Sequence, residues 1–245
     1  MMATQAFRAQ ARSLAGDVVL LSVVGAAFVM ALSLATSVPT DFSDAPGSAR
    51  QEFLAPFETV MATYGAVLAA IYGSFRYTVD RRNGVVAQRL TLQPRWATLA
   101  ARVPAAALGG ALVALSTIVG GHVALAVSMG GTNVDWPTTA ASAAVGAAAG
   151  IWGLGVGLVV QQHLLALFVA PVTLAVATVV AIFWKAGAVW FPLPTMLSAF
   201  GFDVSEIGFQ DGAALDRPLA ATFSVVWIFL ILTVGAMSFL RRDVK

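Results

Sequence analysis

Six arginines, Arg76, Arg81, Arg82, Arg89, Arg95 and Arg102, fall between positions 76 and 102 against a single acid, Asp80. A basic stretch of this kind can dock a partner or fix orientation beside a membrane. Other chemistry-bearing residues are scattered. His122 and His163 stand alone in the sequence, with no paired-histidine metal motif. There is no cysteine, which removes thiolate chemistry and disulfides. No glycine-rich phosphate loop exists, because neither Lys185 nor Lys245 has the required glycines before it. Asp17 and Glu58 stand at the ends of apolar runs, where water reaches, and no carboxylate pair is expected inside a membrane. No catalytic residue, metal ligand or cofactor-binding residue is therefore expected in this chain.

The elements that must position these residues are set by composition. The chain has 245 residues, 59% hydrophobic and 11% charged, with a net charge of +2. Soluble domains carry about 25% charged residues. A charged content this low indicates a polytopic membrane protein, and apolar runs this long indicate helices rather than barrel strands. A small net charge with its basic residues beside apolar runs leaves no nucleic-acid footprint.

Six spans are expected, at about 18–36, 57–75, 103–128, 138–160, 164–184 and 218–240, as one transmembrane domain over 1–245. The first exceeds a signal-peptide core in length and reads as a span. Residues 1–16 are weakly amphipathic and predict a helix in the headgroup layer. Residues 37–56 read as an outer loop. The fourth run contains the small-residue pairs Gly146/Gly150 and Gly153/Gly157, which suit close packing within the chain more than a dimer seam. Pro171 is expected to bend the fifth span.

The stretch 76–102 lies between the second and third runs. Asn83 and Gly84 predict a helix start, Val86 and Leu90 share one face, and Pro94 ends the helix. Residues 185–217 begin apolar but are interrupted by Pro192 and Pro194. They predict a re-entrant or interfacial hairpin on the outer side, with Trp190 and Phe191 at headgroup depth. With eleven of the fourteen basic residues assigned inside, both termini are expected in the cytoplasm.

The string Asp80-Arg81-Arg82-Asn83-Gly84, followed by Leu90, Pro94-Arg95 and Arg102, resembles the loop after the second span of type-2 ABC exporter permeases. The compact Pro-Arg form is similar to that of actinobacterial members. Asp80 replaces a commoner Glu and Arg102 a commoner Lys, keeping the charges. The order of Gly-rich span, polar Gln161-Gln162-His163 turn, span, proline-containing hairpin and last span resembles the same family.

The resemblance implies an all-α permease in a bacterial plasma membrane. It would carry an N-terminal interfacial helix, a cytoplasmic coupling helix and an outer re-entrant hairpin. Asp80, Arg81, Arg82, Gly84, Val86, Arg89, Leu90 and Pro94 would couple to a separate ATP-binding subunit that holds ATP and magnesium. Trp190, Phe191, Pro192 and Pro194 would form an outer gate, and a second permease protomer would complete the pathway. The substrate would be hydrophobic or amphipathic: a drug, lipid or peptide. An ATP-independent carrier or channel, or a membrane-embedded enzyme, are the competing classes. The first would call for internal repeats or midplane charges, the second for clustered His, Asp or Ser within the bilayer; neither signal is present.

Overall fold

A computed structural model describes residues 2–35, 47–129, 135–209 and 215–241. Among them nearly every residue is helical and none is in a strand. The helices are α1 (Met2–Ala15), α2 (Val18–Ala35), α3 (Gly47–Arg82), α4 (Val85–Leu92), α5 (Arg95–Met129), α6 (Trp136–Val160), α7 (His163–Phe183), α8 (Lys185–Ala188), α9 (Pro192–Ala199) and α10 (Arg217–Arg241). A 3₁₀ turn at Val204–Ile207 follows α9. Residues 36–46, within the first expected span and outer loop, and 210–214, within the expected 185–217 hairpin, lie outside the described residues.

Against six expected spans, four helices among the described residues are long and apolar enough to cross a membrane: α5, α6, α7 and α10. A fifth is reached if α1 and α2, bent 47° at a break around Gly16 and Asp17, count as one span. The expected second span lies within α3, which is not among the four. α3 packs against α2, α5, α6 and α7. The physical reason it falls short is composition: Glu58 and Arg76 bracket its apolar stretch, which also contains Tyr64, Tyr72 and several hydroxyls. Thr63, Ser74 and Thr78 return theirs to carbonyls of Thr59, Ile71 and Ser74, which keeps those polar groups satisfied in a dry interior.

The expected outer loop is shorter than the sequence suggests, because residues 47–56 already belong to α3. Pro56, Pro104 and Pro171 all lie within continuous helices. The Gly-rich α6 is the core element. A Cβ on Gly153 would stand 2.0 Å from the Ala70 carbonyl oxygen on α3, and one on Gly150 2.4 Å from that of Ala106 on α5. Both glycine pairs are thus used within the chain, each on a different neighbour.

The bundle has two distinct ends. At one, Arg95 Nη1 donates to the Leu240 carbonyl (2.9 Å) and Gln161 Nε2 to Ser238 Oγ (3.1 Å). At the other, Thr59 donates to Glu206 Oε2 (2.6 Å) and Asp135 caps α6 through the Thr138 amide. The arginine-rich segment occupies the first end, and α8, α9 and the 3₁₀ turn the second.

Candidate functional site

The arginine-rich stretch is a set of helices rather than a long loop. Arg76 to Arg82 continue α3, Val85 to Leu92 form α4, and Arg95 to Arg102 open α5. Only Asn83-Gly84 and Gln93-Pro94 connect them. α3 has 36 residues and α5 has 35, so each is about 50 Å long against a hydrocarbon layer of about 30 Å. Their ends carry α4 at the basic end of the bundle. Gly84 makes the first corner with φ of 73°, a left-handed conformation that disfavours a β-carbon. Gln93 is extended, as the residue before a proline should be.

Inside this corner is a buried ion network. On α3, Tyr72, Arg76 and Asp80 are four residues apart and share a face. Arg76 pairs with Asp80 on its own helix and with Asp17, at the junction of α1 and α2. Asp80 also meets Arg102 of α5, at 3.0 Å. That contact is an ion pair whose alignment falls short of a hydrogen bond. Asp17 additionally caps α2 by accepting from the amides of Val19 and Leu20, and accepts from Tyr72 (3.3 Å). The Arg102 guanidinium lies 5.3 Å from the centre of the Tyr77 ring. Asp17, Asp80 and Arg102 are each at least nine-tenths buried, so the expectation that water reaches Asp17 is corrected: partners, not solvent, stabilise its charge. Two carboxylates and two guanidiniums balance to zero, which is what lets four charges lie in a poorly solvated place.

This arrangement is mechanical in character. Each carboxylate is held by a guanidinium that does not release its proton. A cavity of about 20 Å³ among Gln10, Tyr72, Arg76, Tyr77 and Arg102 has room for a water and for no substrate. What the network does is join α1, α2, α3 and α5 at one point. Arg89 of α4 extends it by donating to the buried Gln10 of α1.

The eight expected coupling residues do not form one surface. Asp80 is interior. Val86 is fully buried against Tyr77, Leu154, Leu158 and Phe239, with Leu90 packed on the same cluster. The apolar edge of α4 therefore faces the chain itself, and its outer face is Gln88, Thr91 and Leu92, the last 83% exposed. Arg81 and Arg82 look instead toward the turn before α7, where Arg82 Nη1 lies 2.8 Å from His163 Nε2. Pro94 opens α5, its carbonyl accepting from Ala97 and Thr98.

At the far end, Pro192 and Pro194 do not break the hairpin's helix; they lie in its first turn, where a missing amide costs nothing. Every residue from Pro192 to Ser198 is buried. Trp190 sits edge-on to Phe223 (4.7 Å between centroids), and its carbonyl accepts from Trp227. Phe191 precedes α9 and accepts from the Thr195 amide. His122 stacks edge-on with Phe57. No group of three metal-ligating side chains occurs among the described residues.

Gln10, Asp17, Tyr72 and Tyr77 were not singled out from the sequence as parts of this site. The 72/76/80 spacing was a readable signal for the α3 members; nothing local pointed to Asp17 as their partner. No protein-family model matches the chain, and no curated protein matches it.

Proposed function

We propose that this chain is the membrane subunit of an ATP-driven exporter, with α2 and α3 completing six spans and the arginine-rich end in the cytoplasm. The observation that carries this reading is α4: a short helix at the basic end of the bundle that joins the two overlong helices α3 and α5, with its outer face free, its inner face packed on Tyr77, Leu158 and Phe239, and Arg89 tied to Gln10 beside the ion network. Such a helix is suited to receive movement from a separate ATP-binding subunit and pass it to α1, α3 and α5. The buried α9 hairpin closes the opposite end and serves as the outer gate. A second protomer completes the pathway, and the cargo is hydrophobic or amphipathic, in keeping with the apolar faces of α7 and α10.

The docking face follows from burial. Leu92 is the exposed apolar residue of α4, and Trp96, 59% exposed, stands one turn beyond it on α5. Substitution of Leu92 by Asp, with Trp96→Ala, should leave insertion and thermal stability unchanged. It should reduce co-purification with a co-expressed ATP-binding subunit by tenfold or more, since each buried apolar side chain is worth about 1.5–3 kcal/mol. Undiminished assembly and substrate-stimulated ATP hydrolysis in that variant would sink the coupling role. Transport by the unmodified protein without any ATPase would favour a stand-alone carrier.

A further inference from the structure

A second basic feature lies outside the ion network, on the opposite side of the α3 C-terminus. Thr78, Arg81 and Arg82 face the α6–α7 turn, Gln161-Gln162-His163, across an open cleft of about 500 Å³, within the 300–1,000 Å³ of ordinary ligand sites. Arg81 and Arg82 make no ion pair with a carboxylate among the described residues, unlike Arg76 and Arg102. No acidic side chain lines the cleft. Arg82 is held in place by His163 at 2.8 Å. A guanidinium only donates, so His163 Nε2 accepts and the proton of the neutral ring sits on Nδ1, a further donor. The first turn of α7 has no side-chain cap, so its free amides add positive potential at the same place.

The surroundings specify what kind of anion fits. The cleft ends at Leu164, which is 61% exposed. Leu165 and Phe168 follow on the same exposed side of α7. Both flanking helices are apolar enough to span a membrane, so their connecting turn lies where hydrocarbon gives way to headgroups. A free phosphate needs only the cationic half of this site; an amphiphile uses both halves.

We propose that the cleft binds the phosphodiester headgroup of an anionic phospholipid of the inner leaflet, with its acyl chains along Leu164, Leu165 and Phe168. This rests on the membrane reading above but not on any ATPase. Occupancy would tie the α3 C-terminus to the α6–α7 turn and so bear on the position of α4.

The test uses the full chain, extracted from membranes and purified in neutral detergent, titrated separately with phosphatidylglycerol, phosphatidylcholine and inorganic phosphate. Bound lipid is counted by native mass spectrometry, and thermal stability is followed in parallel. Phosphatidylglycerol should bind in preference to phosphatidylcholine and raise the melting temperature. Arg81→Gln with Arg82→Gln should weaken that binding by roughly tenfold or more, taking a severalfold effect for each basic residue at a lipid surface. Arg81→Lys with Arg82→Lys, which keeps the charge, should retain most of it. Lys185→Gln, at the other end, serves as the control and should change nothing.

Equal binding of the two lipids, or equal phosphatidylglycerol binding by the Gln variant, overturns the proposal in favour of bulk lipid. Displacement by millimolar inorganic phosphate overturns it in favour of a free-phosphate site. Loss of ATP-binding subunit with lipid binding intact in the Gln variant assigns the cleft to protein docking instead. Failure of the chain to enter the membrane fraction at all would defeat the membrane reading itself, before any lipid is added.

Discussion

Asp80 is the residue that ties α3 to α5 at the basic end. It faces Arg76 on its own helix and Arg102 on α5, and its side chain is 5% exposed. Removing it leaves Arg102 buried without a carboxylate, and stranding one partner of a buried pair costs about 3–5 kcal/mol. Asp80→Ala should therefore lower the melting temperature of the detergent-purified protein markedly. The double substitution Asp80→Leu with Arg102→Met, which removes both charges, should lose much less. Equal losses in the single and double variants would mean that the pair contributes packing alone. The sequence displayed half of this network. Arg76 and Asp80 are visible as an i, i+4 pair, but Asp17 lies 59 residues from Arg76, and no periodicity connects residues across that distance. Val86 shows the converse. Its spacing with Leu90 identified an apolar edge correctly, yet a pattern cannot say whether such an edge faces a partner or the chain's own Tyr77 and Phe239.

Elements were more legible than sites, because long apolar runs leave little freedom once backbone groups must be paired internally. The expected runs at 138–160, 164–184 and 218–240 fall within a residue or two of α6, α7 and α10. One departure is polar helix where the sequence suggests loop. Residues 47–56 and the arginines flanking α4 are helical although hydrophilic, since a helix continued out of the bilayer needs no apolar face. The prolines of α9 were read as interruptions although they sit where a helix begins. Close packing at the α3–α6 crossing offers the sharpest test at this scale. A side chain at Gly153 would collide with the Ala70 carbonyl, whereas one at Gly25 of α2 meets nothing within 4 Å. Gly153→Leu should force the two helices apart and sharply reduce the yield of monodisperse protein, because an overpacked core typically costs about 1–3 kcal/mol and a backbone contact more. Gly25→Leu should be tolerated. Equal yields from the two variants would refute the crossing.

At the scale of the whole molecule, the charge distribution is polar along the bundle. Arg76, Arg81, Arg82, Arg89, Arg95, Arg102 and Arg241 gather with α1 at one end. Lys185 and Arg217 stand at the other, among Glu58, Asp135, Asp203, Glu206 and Asp216. Translocating the basic end outward would oppose both the bias for retaining Lys and Arg in short loops and the membrane potential, about 2.3 kcal/mol per charge per 100 mV. The basic end should therefore be cytoplasmic. The chain has no cysteine, so single cysteines report without background. Asn83 at the corner before α4 and Asp216 just before α10 are both exposed, and neither side chain holds a described contact that a thiol would break. With an impermeant maleimide on intact cells, Asp216→Cys should label and Asn83→Cys should label only after the membrane is opened. Placing the two sites on opposite faces requires an odd number of crossings between them, supplied by α5, α6 and α7. Labelling of both sites from outside would mean an even number of crossings between them and would overturn the reading of α5, α6 and α7 as three spans with the 185–209 segment kept on one side. The reverse pattern, with Asn83→Cys alone labelled in intact cells, would invert the molecule, and α4 would then face away from any cytoplasmic ATPase.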